Sequence, residues 1–422
     1  MAHVIKSLLF AALIFPLNAA FAAGFNFETD PVSYFKTALD EAAVPAVPVP
    51  AGQPEQAGPK EWTVMLYAEG KSSAEGLSLD AVNMLEENGG STDRVDYVAE
   101  LSRMRGQFFD TPEDGDWTGA RRYHIQKDDN FALIRSPVLQ SFTGVNTGDW
   151  RHLADFIKWS KANFPAKRYA LVILGHGSGW RDIARSDKGL AFDEETGRGI
   201  ENPELARAIE ESGGKLDLLV LNACLMQTAE ALYDLKDSAG YIVGSENVMR
   251  GIPYERIVPV LNARPGMDAR EAAKLFVEKH AEAYGGYPHQ NPTLSAVDAG
   301  ALNDFFALLE GWSRAAIKYG KKKIFRAQLD AAFGFDNGQK DAKDLGDLMR
   351  LVGANAQDPA LAAQSAALSE FIRTKLTAAS FGTDNRVSGV AAYMPAGKYS
   401  GAYDRLALAK ATAWDDFLKM VR

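Results

Sequence analysis

The stretch Leu171-Val172-Ile173-Leu174-Gly175-His176-Gly177-Ser178-Gly179 decides the fold. Its apolar run shows no alternation with polar residues, the pattern of a strand covered on both faces. A glycine-rich turn ends the run and carries a histidine. A second stretch has the same design: Leu218-Leu219-Val220-Leu221-Asn222-Ala223-Cys224. Strands covered on both faces imply intervening helices and a mainly parallel sheet. In such sheets the chemistry gathers beyond the carboxyl ends of the strands. If the two strands are neighbours, His176 and Cys224 face one cleft.

Outward from these strands, 62–68, 95–101 and 241–244 read as further strands. The segment 149–164 sets Leu153, Phe156, Ile157 and Phe164 on one helical face, and Pro165 ends it. Asn202-Pro203 opens a helix, with the proline in the first turn. Another helix covers 227–235. After about residue 265 helices are expected over 268–284, 299–319 and alanine-rich 359–378. Short apolar segments recur at 293–297 and 387–393. A last helix carries Trp414, Phe417, Leu418 and Val421. The expected class is therefore α/β: a mainly parallel sheet flanked by helices, with a helix-rich C-terminal portion.

The chain has 422 residues, 46% hydrophobic and 24% charged, which allows a large core and rules out collagen, coiled coil and wholesale disorder. That length suits two domains, or one large α/β unit with an appendage. A net charge of −9 speaks against a general nucleic-acid surface, so no nucleic-acid partner is expected. The single cysteine permits no intramolecular disulfide. Together with six histidines it forms no cluster of zinc-ligand spacing, so no metal site is expected.

Residues 1–22 read as a secretory signal. Lys6 supplies the positive start, 7–17 is apolar but too short to span a bilayer, and Ala20-Phe21-Ala22 is a small-x-small cleavage site. The expectation is export to the periplasm or the extracellular space, with no stable membrane span after cleavage. Residues 23–60 form an N-terminal segment with a proline-rich linker (Pro45, Pro48, Pro50, Pro54, Pro59). The core would span 61–265 and the helix-rich portion 266–422.

A lone cysteine in an exported chain is an intermolecular bridge, a buried filler or a reactive nucleophile. Here the nucleophile reading has a partner. An ordinary thiol is only a few per cent thiolate near neutrality, and an adjacent imidazole can take its proton and later protonate a leaving amine. A helix starting soon after Cys224 would add a positive dipole end and favour thiolate. Gly177 lacks bulk, so its N–H, with that of Cys224, could stabilise an oxyanion. His176 precedes Cys224 by 48 residues. That order and spacing suit caspase-type peptidases, with the histidine ~50 residues upstream, and not the papain order.

These residues resemble the clostripain family of cysteine peptidases, relatives of caspases and gingipains. Trp62-Thr63-Val64-Met65-Leu66-Tyr67 is similar to its opening strand, 169–180 to its histidine block and Asn222-Ala223-Cys224-Leu225-Met226 to its nucleophile block. Ser245-Glu246, Gly251-Ile252-Pro253-Tyr254, Leu294-Ser295-Ala296-Val297-Asp298, Asp344-Leu345-Gly346-Asp347 and Ser388-Gly389-Val390-Ala391-Ala392-Tyr393-Met394-Pro395 resemble further blocks. The resemblance implies a caspase-like fold, with 266–422 completing the peptidase. It implies an endopeptidase acting on protein or peptide substrates through His176 and Cys224.

It also implies cleavage after arginine or lysine, associated with an acid two residues before the nucleophile. Asn222 stands there, and a neutral amide gives no charge-assisted pairing with a guanidinium. Ser245 and Glu246 are the other substrate-binding candidates, Glu246 being the acid that would substitute. Processing between histidine and cysteine would fall in 181–199, with Arg181, Arg185, Lys188 and Arg198. Some members are calcium-activated; Asp193-Glu194-Glu195 is the place to look, but its spacing is not that of an EF-hand loop. No cofactor is otherwise expected. The competing expectation is an inactive, peptidase-like binding or scaffold protein of the envelope. Oligomeric state is left open.

Overall fold

The computed structural model describes residues 58–180, 189–335 and 341–422. The signal segment, most of the proline-rich linker and Arg181, Arg185 and Lys188 lie outside the described residues.

Among the described residues the strands, in chain order, are β1 (Lys60–Gly70), β2 (Val95–Arg103), β3 (Gly119–His124), β4 (Val138–Phe142) and β5 (Ala166–Leu174). A hairpin of β6 (Leu190–Asp193) and β7 (Arg198–Ile200) follows, then β8 (Leu216–Asn222), β9 (Ala239–Gly244) and β10 (Thr293–Asp298). The last are β11 (Ala342–Asp344), β12 (Thr377–Gly382) and β13 (Ala391–Tyr393). Nine of them form one sheet in the order β12-β10-β9-β8-β5-β1-β2-β3-β4. The central run β9-β8-β5-β1-β2 is parallel throughout, and the outer strands on both sides are antiparallel.

The unbroken apolar runs have a direct structural cause. Successive side chains of a strand point to opposite faces, and both faces of this sheet are covered. Leu171 and Ile173 of β5 join Leu219 and Leu221 of β8 in a layer with the helices Trp150–Asn163, Asn202–Glu211, Ala229–Leu235 and Leu302–Tyr319. Ala170, Val172 and Leu174 join Leu218 and Val220 in the opposite layer, against the helices Glu75–Glu87, Tyr254–Ala263 and Ala269–Tyr284. Each of these strand residues is 5% exposed or less. Enclosing a side chain the size of leucine or isoleucine contributes about 1.5–3 kcal/mol.

Local signals set the helix starts. The Asp149 carboxylate accepts from Arg151 N–H at the head of Trp150–Asn163, satisfying a donor the first turn leaves unpaired. Glu201 and Glu204 cap Asn202–Glu211 reciprocally, with Pro203 in its first turn. Asp268 and Glu271 do the same for Ala269–Tyr284.

The sheet does not stop at residue 265. β10 lies antiparallel on β9, and β12 antiparallel on β10. The helix expected over 359–378 accordingly ends early. It runs as Pro359–Phe371, loosens into a wide turn over Ile372–Leu376, and becomes β12 at Thr377. Pairing of Ala379 with Ala296 and Ser380 with Ser295 outweighs the helical preference of the alanines, which is a weak local term. Of the segment 387–393, only Ala391–Tyr393 is strand, paired with β11. The final helix, Trp414–Val421, brings Phe417 against Trp312 with ring centroids 5.0 Å apart.

The shared sheet has a consequence for folding. Residues 58–265 alone would leave β9 without its outer neighbour β10, and Leu219 and Leu221 without the helix Leu302–Tyr319. That fragment is expected to show no cooperative thermal transition by circular dichroism. A sharp transition would show that the first part folds on its own.

Candidate active site

Strands β5 and β8 are adjacent and parallel, and the register matches Leu174 with Asn222. His176 and Cys224 are each two residues past that pair, so the backbone delivers both to one level above the sheet. Gly175 N–H donates to Asn222 O at 3.4 Å. Closer in, a Cβ on Gly177 would stand 2.8 Å from Cys224 O and 2.9 Å from Ala223 Cβ. Real Cβ atoms do not approach that closely. Glycine is therefore what lets the histidine turn lie directly on the nucleophile turn. Leu225, next to Cys224, holds a φ of 60°. A branched residue in the left-handed region costs of order 1–3 kcal/mol and marks a turn imposed by its surroundings.

His176 is exposed, and its Nε2 shares a 2.8 Å hydrogen bond with Ser73 Oγ. Ser73 lies just beyond β1, the strand on the other side of β5, in the turn leading to the helix Glu75–Glu87. The carbonyl of His176 accepts from Ala191 N–H of the β6–β7 hairpin. Among the described residues, the N–H groups of Gly177 and Cys224 take no part in the backbone hydrogen bonds of these turns. They remain available as the expected oxyanion donors.

Cys224 is partly accessible. Burial pushes its thiol pKa up. The N–H of Met249, 3.4 Å from Sγ, and the positive charge of Arg250 pull it part of the way back. This corrects the expectation of a helix-favoured thiolate. The next helix begins only at Ala229, with Thr228 as its cap, so no helix start acts directly on the sulfur.

The expected substrate-binding residues lie deeper. Asn222 is 6% exposed, and its amide donates to Tyr254 OH at 3.3 Å. Ser245 is fully buried, and its hydroxyl pairs with Thr293 Oγ1 at 2.9 Å. Both keep the loop after β9 in place. Glu246 is 1% exposed and lies against Asp344. Burial raises both carboxyls: Glu246 well above the carboxylate range, Asp344 to about 6. Asp344 accepts from Ser388 N–H at 2.6 Å, Ser388 Oγ at 2.8 Å and Asp347 N–H at 2.7 Å. Asp344 thus collects three donors, whereas neither carboxyl oxygen of the buried Glu246 has a hydrogen-bond partner among the described residues, so burial favours the protonated form of Glu246. Glu246 is neither an exposed loop acid nor an open anionic group.

The acids 193–195 also have occupants. Asp193 is fully buried, and Lys71 Nζ lies 3.3 Å from it and 2.5 Å from Glu195 Oε2. Lys71 fills the position a cation would take between these carboxylates. Among the described residues no group of His, Cys, Asp or Glu is arranged to hold a metal. No described helix is long and apolar enough to cross a membrane. Arg198, on β7, is exposed.

Sequence reading missed Ser73, Met249 and Arg250. Ser73 was detectable by the strand-end reasoning that found His176, since it follows β1. Met249 acts through its backbone N–H, which leaves no mark on a sequence.

The profile of the family described as "Clostripain family" matches residues 67–420. Clostripain from Hathewaya histolytica is 25% identical over 234 residues, covering 50% of this chain. The chain spans only 44% of that relative's length. A solved structure of a secreted C11 cysteine protease from Bacteroides thetaiotaomicron, in complex with an irreversible peptide inhibitor, superimposes with a TM-score of 0.63 at 18% identity. It covers 84% of this chain and 99% of its own. An inactive zymogen C11 protease from Parabacteroides distasonis gives 0.60 at 18% identity, over 85% and 99%. These likenesses establish the caspase-like fold.

The buried carboxyl pair carries a pH signature. Both folded-state pKa values lie above the unfolded ones, so the folded chain holds the protons more tightly. The stabilisation is complete below about pH 4 and is lost as pH rises through about 6 and beyond. Glu246→Gln keeps a donor facing Asp344 without a titrating proton. Its fall in Tm between pH 5 and pH 8 is expected to be smaller than that of the unaltered protein, by ~2 °C or more. An equal fall in both proteins would contradict a raised pKa for the buried Glu246.

Proposed function

The chain belongs to the clostripain family, and on that premise we propose that it is an exported cysteine endopeptidase with Cys224 as nucleophile and His176 as its acid–base partner. The observation that carries this reading is the β5–β8 register with Gly177 packed on the Cys224 backbone.

Because burial raises the thiol, attack needs a base at the moment of reaction. His176 removes the Sγ proton as sulfur bonds to the peptide carbonyl carbon, and the carbonyl electron pair moves to oxygen. The N–H groups of Gly177 and Cys224 stabilise that oxyanion. As it collapses, the C–N bond breaks and His176 protonates the leaving amine. Water, deprotonated by His176, then releases the acyl group and restores the thiol. Ser73 holds Nε2 of the ring, so Nδ1 handles the proton; Ser73 is a positioning residue.

Export rests on residues 1–22 and accords with the secreted B. thetaiotaomicron relative. No cofactor enters the reading: Lys71 already neutralises Asp193 and Glu195. Preference for arginine or lysine draws no support from Asn222, which is neutral, or from Glu246, which is enclosed, and would need another acid at the cleft.

Peptide-library hydrolysis tests the reading. Cys224→Ala is expected to lower kcat/KM by at least about a thousandfold, as loss of a nucleophile does. Library cleavage that survives in Cys224→Ala would contradict it, and so would a correctly folded, unaltered protein that cleaves no peptide. Ser73→Ala is expected to lower kcat about two- to tenfold with KM unchanged, the worth of one hydrogen bond, and Ser73→Thr to restore it. An unchanged kcat, or a change confined to KM, would remove Ser73 from this role.

A further inference from the structure

Two hydrogen bonds reach His176 from segments remote in the chain. Ser73 Oγ shares one with ring atom Nε2 at 2.8 Å, and Ala191 N–H donates the other to the His176 carbonyl at 3.3 Å. Ser73 belongs to the turn after β1, and Ala191 to the β6–β7 hairpin. The hairpin is bent to make its contact. Ala191 holds a φ of 52°, and the register of β6 on β7 shifts between Leu190 and Asp193. A residue with a side chain stays in that left-handed region only where its surroundings hold it there. Ala191 consequently lies on the histidine turn: a Cβ on Gly175 would stand 3.3 Å from Ala191 Cα.

Lys71 joins the two segments. It follows β1 directly and precedes Ser73 by two residues. Its side chain is fully buried. Nζ lies 2.5 Å from Glu195 Oε2 and 3.3 Å from Asp193 Oδ2, and it donates to the carbonyl of Val145. Lys71 O accepts from Glu194 N–H at 2.8 Å. Three consecutive hairpin residues are thus bound to one lysine. Asp193 is fully buried too, and its Oδ2 accepts from Thr147 N–H at 3.0 Å and Thr147 Oγ1 at 3.1 Å. Thr147 supplies neutral donors; the ammonium supplies the countercharge. A buried carboxylate that loses its countercharge is strongly destabilised where it stands. Removing the ammonium would therefore drive Asp193 toward water and carry Ala191, two residues away, off the His176 carbonyl. The same loss would free the near end of the Ser73 turn, whose far end is held separately by Glu75 N–H on Ser72 O at 3.1 Å.

We propose that Lys71 is a positioning residue for the reaction: its buried ammonium locks the β6–β7 hairpin to the end of β1 and thereby holds His176 by ring and carbonyl at once. The proposal rests on the peptidase reading above. Lys71 acts through the imidazole, so its loss slows the proton transfers and leaves peptide binding in place.

The test measures kcat and KM of the full chain on one peptide that the unaltered protein cleaves. Lys71→Met keeps the length of the side chain and removes its charge. It is expected to lower kcat about ten- to hundredfold, the cost of displacing a reacting group by about an ångström, with KM within about twofold. Adding Ser73→Ala is expected to slow Lys71→Met by less than about twofold, because the ring contact it removes is already lost. Should Lys71→Met fail to fold, as judged by near-ultraviolet circular dichroism, Glu195→Ala tests the same clamp from its half-exposed end. There kcat is expected to fall about two- to tenfold with KM unchanged, and the effect of Ser73→Ala to shrink in that background. An unchanged kcat in the folded variant, a change confined to KM, or a Ser73→Ala effect that multiplies in full would overturn the proposal. Each of these outcomes leaves the peptidase reading standing, because the unaltered protein still cleaves. A folded, unaltered protein that cleaves no peptide would instead overturn both.

Discussion

Parallel pairing of β5 and β8 in the register that joins Leu174 to Asn222 is the constraint on which the site depends. A strand delivers its next residues at a height set by where pairing stops, and these two stop together. His176 and Cys224 are then level, with Gly177 thin enough to let the turns touch. A shift of one residue in either strand would exchange its faces. It would misfit the packed side chains of both layers and separate the histidine from the thiol. The apolar side chains that fill both layers therefore hold the chemistry in alignment as well as the fold.

Two further segments complete the arrangement. The loop after β9 bonds to the nucleophile turn from one side and brings the Met249 N–H to the sulfur. The chain after Ser388 braces it from beneath: Ala391 N–H donates to Gln227 O at 3.0 Å, and Tyr403 OH to Glu230 at 2.6 Å. Glu246, Asp344 and Ser388 link these segments through one buried carboxyl pair. The part of the chain after residue 265 thus supports the thiol that lies before it. Its contribution is to the position and electrostatics of the cysteine, not to the reacting groups themselves.

Much of this was legible in the sequence. The parallel strands announced themselves because covering both faces removes polar alternation, and strand-end logic then selected His176 and Cys224. The edge strands were less visible. β12 is alanine-rich and becomes a strand only because β10 offers it backbone partners, a contact more than eighty residues distant in the chain. The environments of Asn222, Ser245 and Glu246 were also out of reach. Whether a loop acid is open or enclosed depends on what packs over it, and Asp344 comes from a remote segment. Ser73 was within reach, since it lies just past the end of a strand beside β5, but a serine carries less chemical weight than a histidine.

On the proposed reading, the strand register builds one reaction centre from His176, Gly177 and Cys224. A crystal structure of the protein after reaction with an irreversible peptide inhibitor tests it most directly. The account predicts a covalent bond to Cys224 Sγ, with the inhibitor's carbonyl oxygen within about 3.2 Å of the N–H groups of Gly177 and Cys224 and the His176 ring beside the sulfur. An adduct on Cys224 whose oxygen points away from those N–H groups, or whose sulfur lies beyond reach of His176, would contradict it.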